Sequence, residues 1–426
     1  MRKRAPDIEE RTTTDWVAVV AWGALIAGCA WWGTTLAANE PRIRVGAPPL
    51  FGRYGFHPTT KVLLPLAVLV IVAVGRDLEM PRRKLLLITS VMAIVWGVTL
   101  AVASQGGLYG ALMDRHDYLA VVPRITSPLS FLKVFTDAIN TYPIHVQGHP
   151  PGFALLLWLI ARIGVGGLVG ASALVIVATG GIAAGVVSVV WDVAGEASAR
   201  RVAPFAMITP AAVWLVSSAD AVFAALAVAT TVVFVKASGR EPSSDLLALG
   251  GGVVAGIALQ MSYGLAPALL VPAVLLVHRR AVRVALLGLA GLSSVMVATA
   301  WLGFWWFDGL DATRALYGMG VSSFRPYSYF VIANVAALAV ASGPAVPAGI
   351  GAVRDRRLWL IIGPVLAAVV LADLSGLTKG EVERIWLPFA VWLPVACAAL
   401  GEDSRRWLVL QGSWAILLQQ LVVTPW

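Results

Sequence analysis

Charge is scarce in this chain. Only 13% of its 426 residues are Asp, Glu, Lys or Arg, while 59% are hydrophobic. A soluble domain of this length needs a far more polar surface, so that class is excluded. Cysteine is nearly absent. Cys29 and Cys397 both fall inside apolar blocks, with neither disulfide nor metal-ligand spacing, and read as inert core residues. Acidic residues are outnumbered, which leaves a formal net charge of +9. The basic residues nevertheless sit in short clusters between apolar blocks rather than along one face, so nucleic acid is not the expected partner. No DxD pair, zinc spacing or nucleotide-binding loop is visible. There is also no internal repeat, no low-complexity tract and no separate soluble domain, so 1–426 reads as a single integral membrane domain.

What is present is a succession of apolar blocks, each about 15–22 residues long, the length that crosses a bilayer as a helix. Inside hydrocarbon the backbone must satisfy its own hydrogen bonds, so even the Val-rich stretch from Val62 to Val74 is expected to be helical. The expectation is an all-α polytopic bundle of about 13 spans. They fall near 16–36, 62–75, 85–104, 168–190, 202–217, 220–235, 246–262, 264–277, 284–304, 330–350, 359–373, 387–400 and 408–423. The first block, Trp16 to Leu36, is too long for a signal core and reads as a retained first span.

Orientation follows from the basic residues. With Arg2, Lys3, Arg4 and Arg11 in the cytoplasm, the other inner turns hold Arg76/Arg82/Arg83/Lys84, Arg200/Arg201, Lys236/Arg240, Arg279/Arg280/Arg283, Arg354/Arg356/Arg357 and Arg405/Arg406. Roughly 20 of the 32 basic residues then lie inside, although most loop sequence lies outside, which is the positive-inside bias. The apolar stretch Pro151 to Ile160 is too short to span. Counting it as a span would invert every later loop, so it is expected to be a juxtamembrane helix. The long loops 37–61, 105–167, 305–329 and 374–386 all fall on the outer side, where function is expected.

Polar chemistry concentrates in the second of these loops. It reads Asp114-Arg115-His116-Asp117-Tyr118 and continues to Thr141-Tyr142-Pro143-Ile144-His145-Val146-Gln147-Gly148-His149-Pro150-Pro151-Gly152. For any one of these residues a solvated loop is the plain reading; together, in a charge-poor protein, they suggest a site. The prolines suit the first turn of a helix, whose amides lack partners anyway. His149 would sit beside that positive helix end, where an anionic ligand is favoured.

An acidic residue just after an early span, a Tyr four positions on, and a His-Pro-Pro motif opening a short helix together resemble the GT-C glycosyltransferases, such as protein O-mannosyltransferases and lipid A aminoarabinose transferases. The resemblance extends through Thr209-Pro210 to Ser217-Ser218-Ala219-Asp220, which is similar to the family's Pro…Ser-x-Asp pattern, and covers roughly 85–240 as the catalytic core, with 105–167 as its outer loop. Asp114 and Tyr118 keep the family spacing. The family's second acid is replaced by Arg115, however, and an acid stands instead at Asp117. The general base is therefore open between Asp114, which the spacing favours, and Asp117.

The resemblance implies an enzyme of the cytoplasmic membrane with its active site outside. It would move a sugar from a polyprenyl-phosphate donor to a glycan, glycolipid or protein acceptor. A carboxylate would take the acceptor's proton, and cations would meet the leaving phosphate. No cofactor is expected; a weakly held divalent metal at Asp114/Asp117 is the alternative.

Other residues carry paired readings. Asp220 is either the N-cap of a span or a second site carboxylate. The run Thr378-Lys379-Gly380-Glu381-Val382-Glu383-Arg384 is either a solvated turn or a phosphate site, with Arg384 the bidentate binder and Lys379 a weaker one. The loop with Trp305, Trp306, Tyr317, Phe324, Tyr327 and Tyr329 is an interfacial aromatic belt or a lid, and Tyr263 is expected to face the same cavity. The competing function is a transporter or lipid-linked sugar flippase, which should place ionisable groups in mid-span and often shows repeated halves. A third is an assembly subunit.

Overall fold

A computed structural model describes residues 6–75, 79–109, 117–239, 244–401 and 404–424. The chain begins with the long helix α1 (Pro6–Asn39), followed by α2 (Leu63–Val74) and α3 (Arg82–Val102). Three short helices come next: α4 (Pro128–Val134), α5 (Ile144–Gln147) and α6 (Gly152–Ile160). The central bundle follows with α7 (Gly167–Ala194), α8 (Glu196–Met207), α9 (Ala212–Leu215), α10 (Asp220–Ala237), α11 (Ser244–Met261), α12 (Leu270–His278) and α13 (Val282–Trp301). The remainder comprises α14 (Trp306–Met319), α15 (Tyr327–Ser342), α16 (Ala345–Ala352), α17 (Arg356–Leu374), α18 (Val382–Ile385), α19 (Leu387–Ala390) and α20 (Ser404–Leu421). Among the described residues a single two-stranded ribbon pairs Arg53–Tyr54 with Val422–Val423, and the fold is otherwise all-α apart from two isolated bridges.

Seven of these helices are long and apolar enough to cross a membrane: α1 from Trp16, α3, α7, α10, α11, α13 and α17. The pair α15–α16 makes an eighth if taken as one broken span, bent by 97°. Each coincides with an expected block. Proline and glycine account for most of the others. The block at 202–217 breaks between α8 and α9 at Pro210, and that at 264–277 opens with 3-10 turns around Pro267 before α12. The bend in 330–350 falls at Gly343, whose φ of 77° suits glycine, followed by Pro344. The block at 387–400 is a short helix and a 3-10 stretch carrying Pro388 and Pro394. Helix α20 is long, but it holds Arg405, Arg406, Gln411, Gln419 and Gln420.

Small residues set the closest helix contacts. A Cβ on Gly252 of α11 would lie 1.9 Å from the Gly288 carbonyl of α13, so these backbones touch as helices do where lipid gives no hydrophobic drive. Helices α1 and α13 expose apolar side chains such as Val20 and Trp301, as lipid-facing helices do.

The bundle has two chemically different ends. At one, Arg82 at the start of α3 pairs bidentately with Asp192 near the end of α7, at 2.6 and 2.7 Å. Arg279 after α12 donates to the Asp192 and Val235 carbonyls, and Arg200 of α8 donates to Met80. Arg283 pairs with Asp245 where α13 and α11 begin. Members of three of the basic turns thus gather here, Arg82, Arg200 and Arg279 with Arg283. The opposite ends of α3, α10 and α17 lead to Asp117, Asp220 and Glu381–Arg384 respectively.

Candidate functional site

Four separate segments build a polar cluster at this second end. Past α3, the Asp117 carboxylate accepts the Tyr118 amide and starts a 3-10 turn, Tyr118–Ala120. Pro143 then begins α5, which carries His145. The next histidine, His149, precedes Pro150 and Pro151 at the entry to α6. That entry presses on the end of α11: a Cβ on Gly152 would lie 2.3 Å from the Gln260 carbonyl oxygen, and only glycine fits. Helix α6 has nine residues, the short form expected for this stretch.

The third segment is the start of α10. Asp220 is its first residue, and the N-cap is Ala219, so the capping alternative is not what the side chain does. Its carboxylate turns instead to Arg384, whose NH1 lies 2.9 Å from Oδ2. The fourth segment, α18, follows Glu381, which adopts φ 64°. Arg384 NH2 donates to Glu381 Oε2 at 3.1 Å and approaches His145 Nε2 at 3.4 Å. His145 Nδ1 in turn lies 3.7 Å from Asp117 Oδ2. A continuous line therefore runs Asp117, His145, Arg384, Asp220, with Glu381 and Arg325 (3.7 Å apart) flanking it.

Burial shapes the protonation states. Burial depresses His149 to about 4, with Asp220 opposing, so its ring is neutral at physiological pH. It packs between Tyr118 and Phe223, and its Nδ1 meets the His145 carbonyl at 2.8 Å. Burial raises Tyr118 well above the usual phenol range, and Asp220 and Asp117 add to the shift. Burial also pushes Glu383 up to about 7. One oxygen of Glu383 accepts the Phe51 amide at 3.1 Å, and Oε2 has no hydrogen-bond partner among the described residues. Burial opposes the charge of Arg384, but Asp220 and Glu381 more than offset it and the guanidinium stays charged.

The structure thus brings together Asp117, Tyr118, His149, Asp220 and Arg384, with Glu383 beside them. Asp114 lies outside the described residues. Two other candidates make contacts off the line itself. Lys379 donates its ammonium to the Ser322 carbonyl at 3.2 Å, and Tyr263 packs edge-on against Trp306. The Lys379 carbonyl also accepts from Arg325, which flanks the cluster.

Sequence reasoning did not single out His145, Glu381, Arg325 or the Phe51 amide. The first two sit in the charged runs it examined. Arg325, buried and donating to the Ile43 and Lys379 carbonyls, had only its isolation in an aromatic loop as a signal. Of the aromatic loop, Trp305, Phe324 and Tyr327 are exposed, whereas Trp306 and Tyr329 are buried. Among the described residues no three His, Cys, Asp or Glu side chains are grouped to hold a metal ion. Compared with known proteins, the chain matches no protein-family model, no curated protein and no solved structure.

Proposed function

We propose that the chain is a GT-C-like glycosyltransferase of the cytoplasmic membrane. It transfers a sugar from a polyprenyl-phosphate donor to a glycan, glycolipid or protein acceptor on the outer face. In this reading the remaining short and broken apolar helices complete a bundle of about 13 crossings. The observation that carries it is the buried line from Asp117 through His145 to Arg384 and Asp220, at the end of the bundle away from the basic turns.

The chemistry assigned to that line is displacement at the anomeric carbon. The acceptor oxygen bonds to the carbon, the bond to the phosphate oxygen breaks, and the acceptor proton passes to a carboxylate. Asp117 is assigned that role; Asp114 is the rival that the motif spacing favours. Arg384 stabilises the phosphate as negative charge collects on it. Since Asp220 and Glu381 already hold its nitrogens, the phosphate replaces one of them. Glu381 is the more exposed, at 25% against 4%.

Against the transporter reading stands the distribution of charge. In all seven long apolar helices, from Trp16 onward, ionisable side chains occur only near the ends. The test is transfer of radiolabelled sugar from polyprenyl phosphate in membranes, with Asp117→Asn and Asp114→Asn compared at matched expression. The base variant should lose on the order of 10²–10⁴-fold. Full activity in both variants removes this loop from catalysis.

A further inference from the structure

We propose that His145 is a positioning residue, which presents an Nδ1–H to Asp117 while Arg384 fixes its Nε2; this rests on the transferase reading above. A guanidinium has donors only. With NH2 of Arg384 3.4 Å from Nε2, that nitrogen must offer its lone pair, since two N–H groups facing each other would repel. The ring is then neutral, and its one proton sits on Nδ1, facing Asp117 Oδ2.

The surroundings hold this arrangement. The His145 side chain is 16% exposed and that of Asp117 8%, so little water competes for either. The turn carrying His145 is tied at both ends. Gln147 donates to the Tyr142 carbonyl at 2.8 Å, and Thr313 of α14 donates to the Gln147 carbonyl at 2.9 Å. The Tyr118 amide donates to Oδ1 of Asp117, and His145 Nδ1 faces Oδ2 at 3.7 Å, within ion-pair but beyond direct hydrogen-bond distance. Among the described residues, the charged or titratable groups around the ring include Asp117 and Arg384, with Asp220, Glu381, His149 and Tyr118 behind them. Because Nδ1 already bears a hydrogen and Nε2 is engaged, the ring cannot accept the proton that Asp117 gains. It orients the carboxylate and does not relay.

Two substitutions separate the halves of this role. His145→Asn keeps an N–H near the Nδ1 position, and His145→Gln keeps an acceptor near Nε2. Misplacing a reacting group costs on the order of 10²-fold, so kcat of His145→Gln should fall by that factor, with KM for the lipid-linked sugar little changed. His145→Asn should retain most of the rate. In the background of Asp117→Asn, His145→Gln should have no further effect. A fully active His145→Gln, an inactive His145→Asn, or a second hundredfold loss in the double variant would each overturn the proposal. Ring 15N shifts read the tautomer without turnover: Nδ1–H is expected, and Nε2–H overturns the assignment. If wild-type protein transfers no sugar while the Nδ1–H tautomer is found, the transferase reading fails and the contact stands.

Discussion

Arg384 and Asp220 are 164 positions apart in the chain, yet their side chains meet at 2.9 Å with both at least nine-tenths buried. A pair this dry is held by mutual attraction against the cost of taking two charges out of water. Removing Asp220 takes from Arg384 the more buried of the two carboxylates it meets and leaves Glu381. Asp220→Ala should therefore cost up to about 3 kcal/mol, the low end for breaking a buried pair, and lower Tm accordingly. The paired change Asp220→Leu with Arg384→Met should recover most of the stability, because an apolar pair of similar volume is often neutral. It should not recover sugar transfer. Recovered transfer in the apolar pair would make the bridge a structural element only.

Glu381 occupies the other side of Arg384 and is the more accessible carboxylate. If the donor phosphate takes its place, Glu381→Gln weakens a competitor and leaves the guanidinium otherwise intact. The expected result is a KM for the lipid-linked sugar lower by about fivefold, equivalent to roughly 1 kcal/mol for a partly exposed pair. Stability should change little. A raised KM in steady-state assays would show that Glu381 helps to bind the donor.

The sequence makes the broad architecture legible because its cause is local. Block length and hydropathy mark the seven helices long and apolar enough to span, and the short α6 follows from having too few apolar residues before Arg162. Breaks at Pro210, Pro267 and Gly343 are harder to foresee, since hydropathy continues straight across them. The cluster is legible as residue types in two charged runs, but its pairing is not. Nothing in the sequence says that Arg384 meets Asp220 and His145, or that Lys379 turns to the Ser322 carbonyl. Those partners depend on how four segments converge, which is a property of helix packing.

Orientation can be tested because both native cysteines are buried and should stay silent to labelling. Arg201 is exposed beside the basic end, and Asn140 is exposed near the cluster. An impermeant maleimide added to intact cells should modify Asn140→Cys and leave Arg201→Cys unmodified until the membrane is opened. This follows from the positive-inside bias. The reverse pattern would invert the bundle and put the cluster in the cytoplasm.

Two buried groups near the cluster should give stability opposite dependences on pH. Glu383 titrates near its usual 4.5 when unfolded and at about 7 when folded. Between those values the folded chain holds a proton that the unfolded chain has lost, so stability falls as pH rises through this window. His149 runs the other way. Its pKa is 6.5 unfolded and about 4 folded, so the unfolded chain binds more protons and stability falls as pH drops from 6.5 to 4. Each shift corresponds to on the order of 3 kcal/mol. In the wild type the two slopes oppose each other between about pH 4.5 and 6.5, and single substitutions unmask them. Relative to wild type, Glu383→Gln should gain Tm progressively toward pH 7, and His149→Gln should gain it progressively toward pH 4. The check is thermal unfolding in one detergent at intervals from pH 4 to 8. Variant curves that run parallel to wild type would mean that neither group changes its protonation on folding.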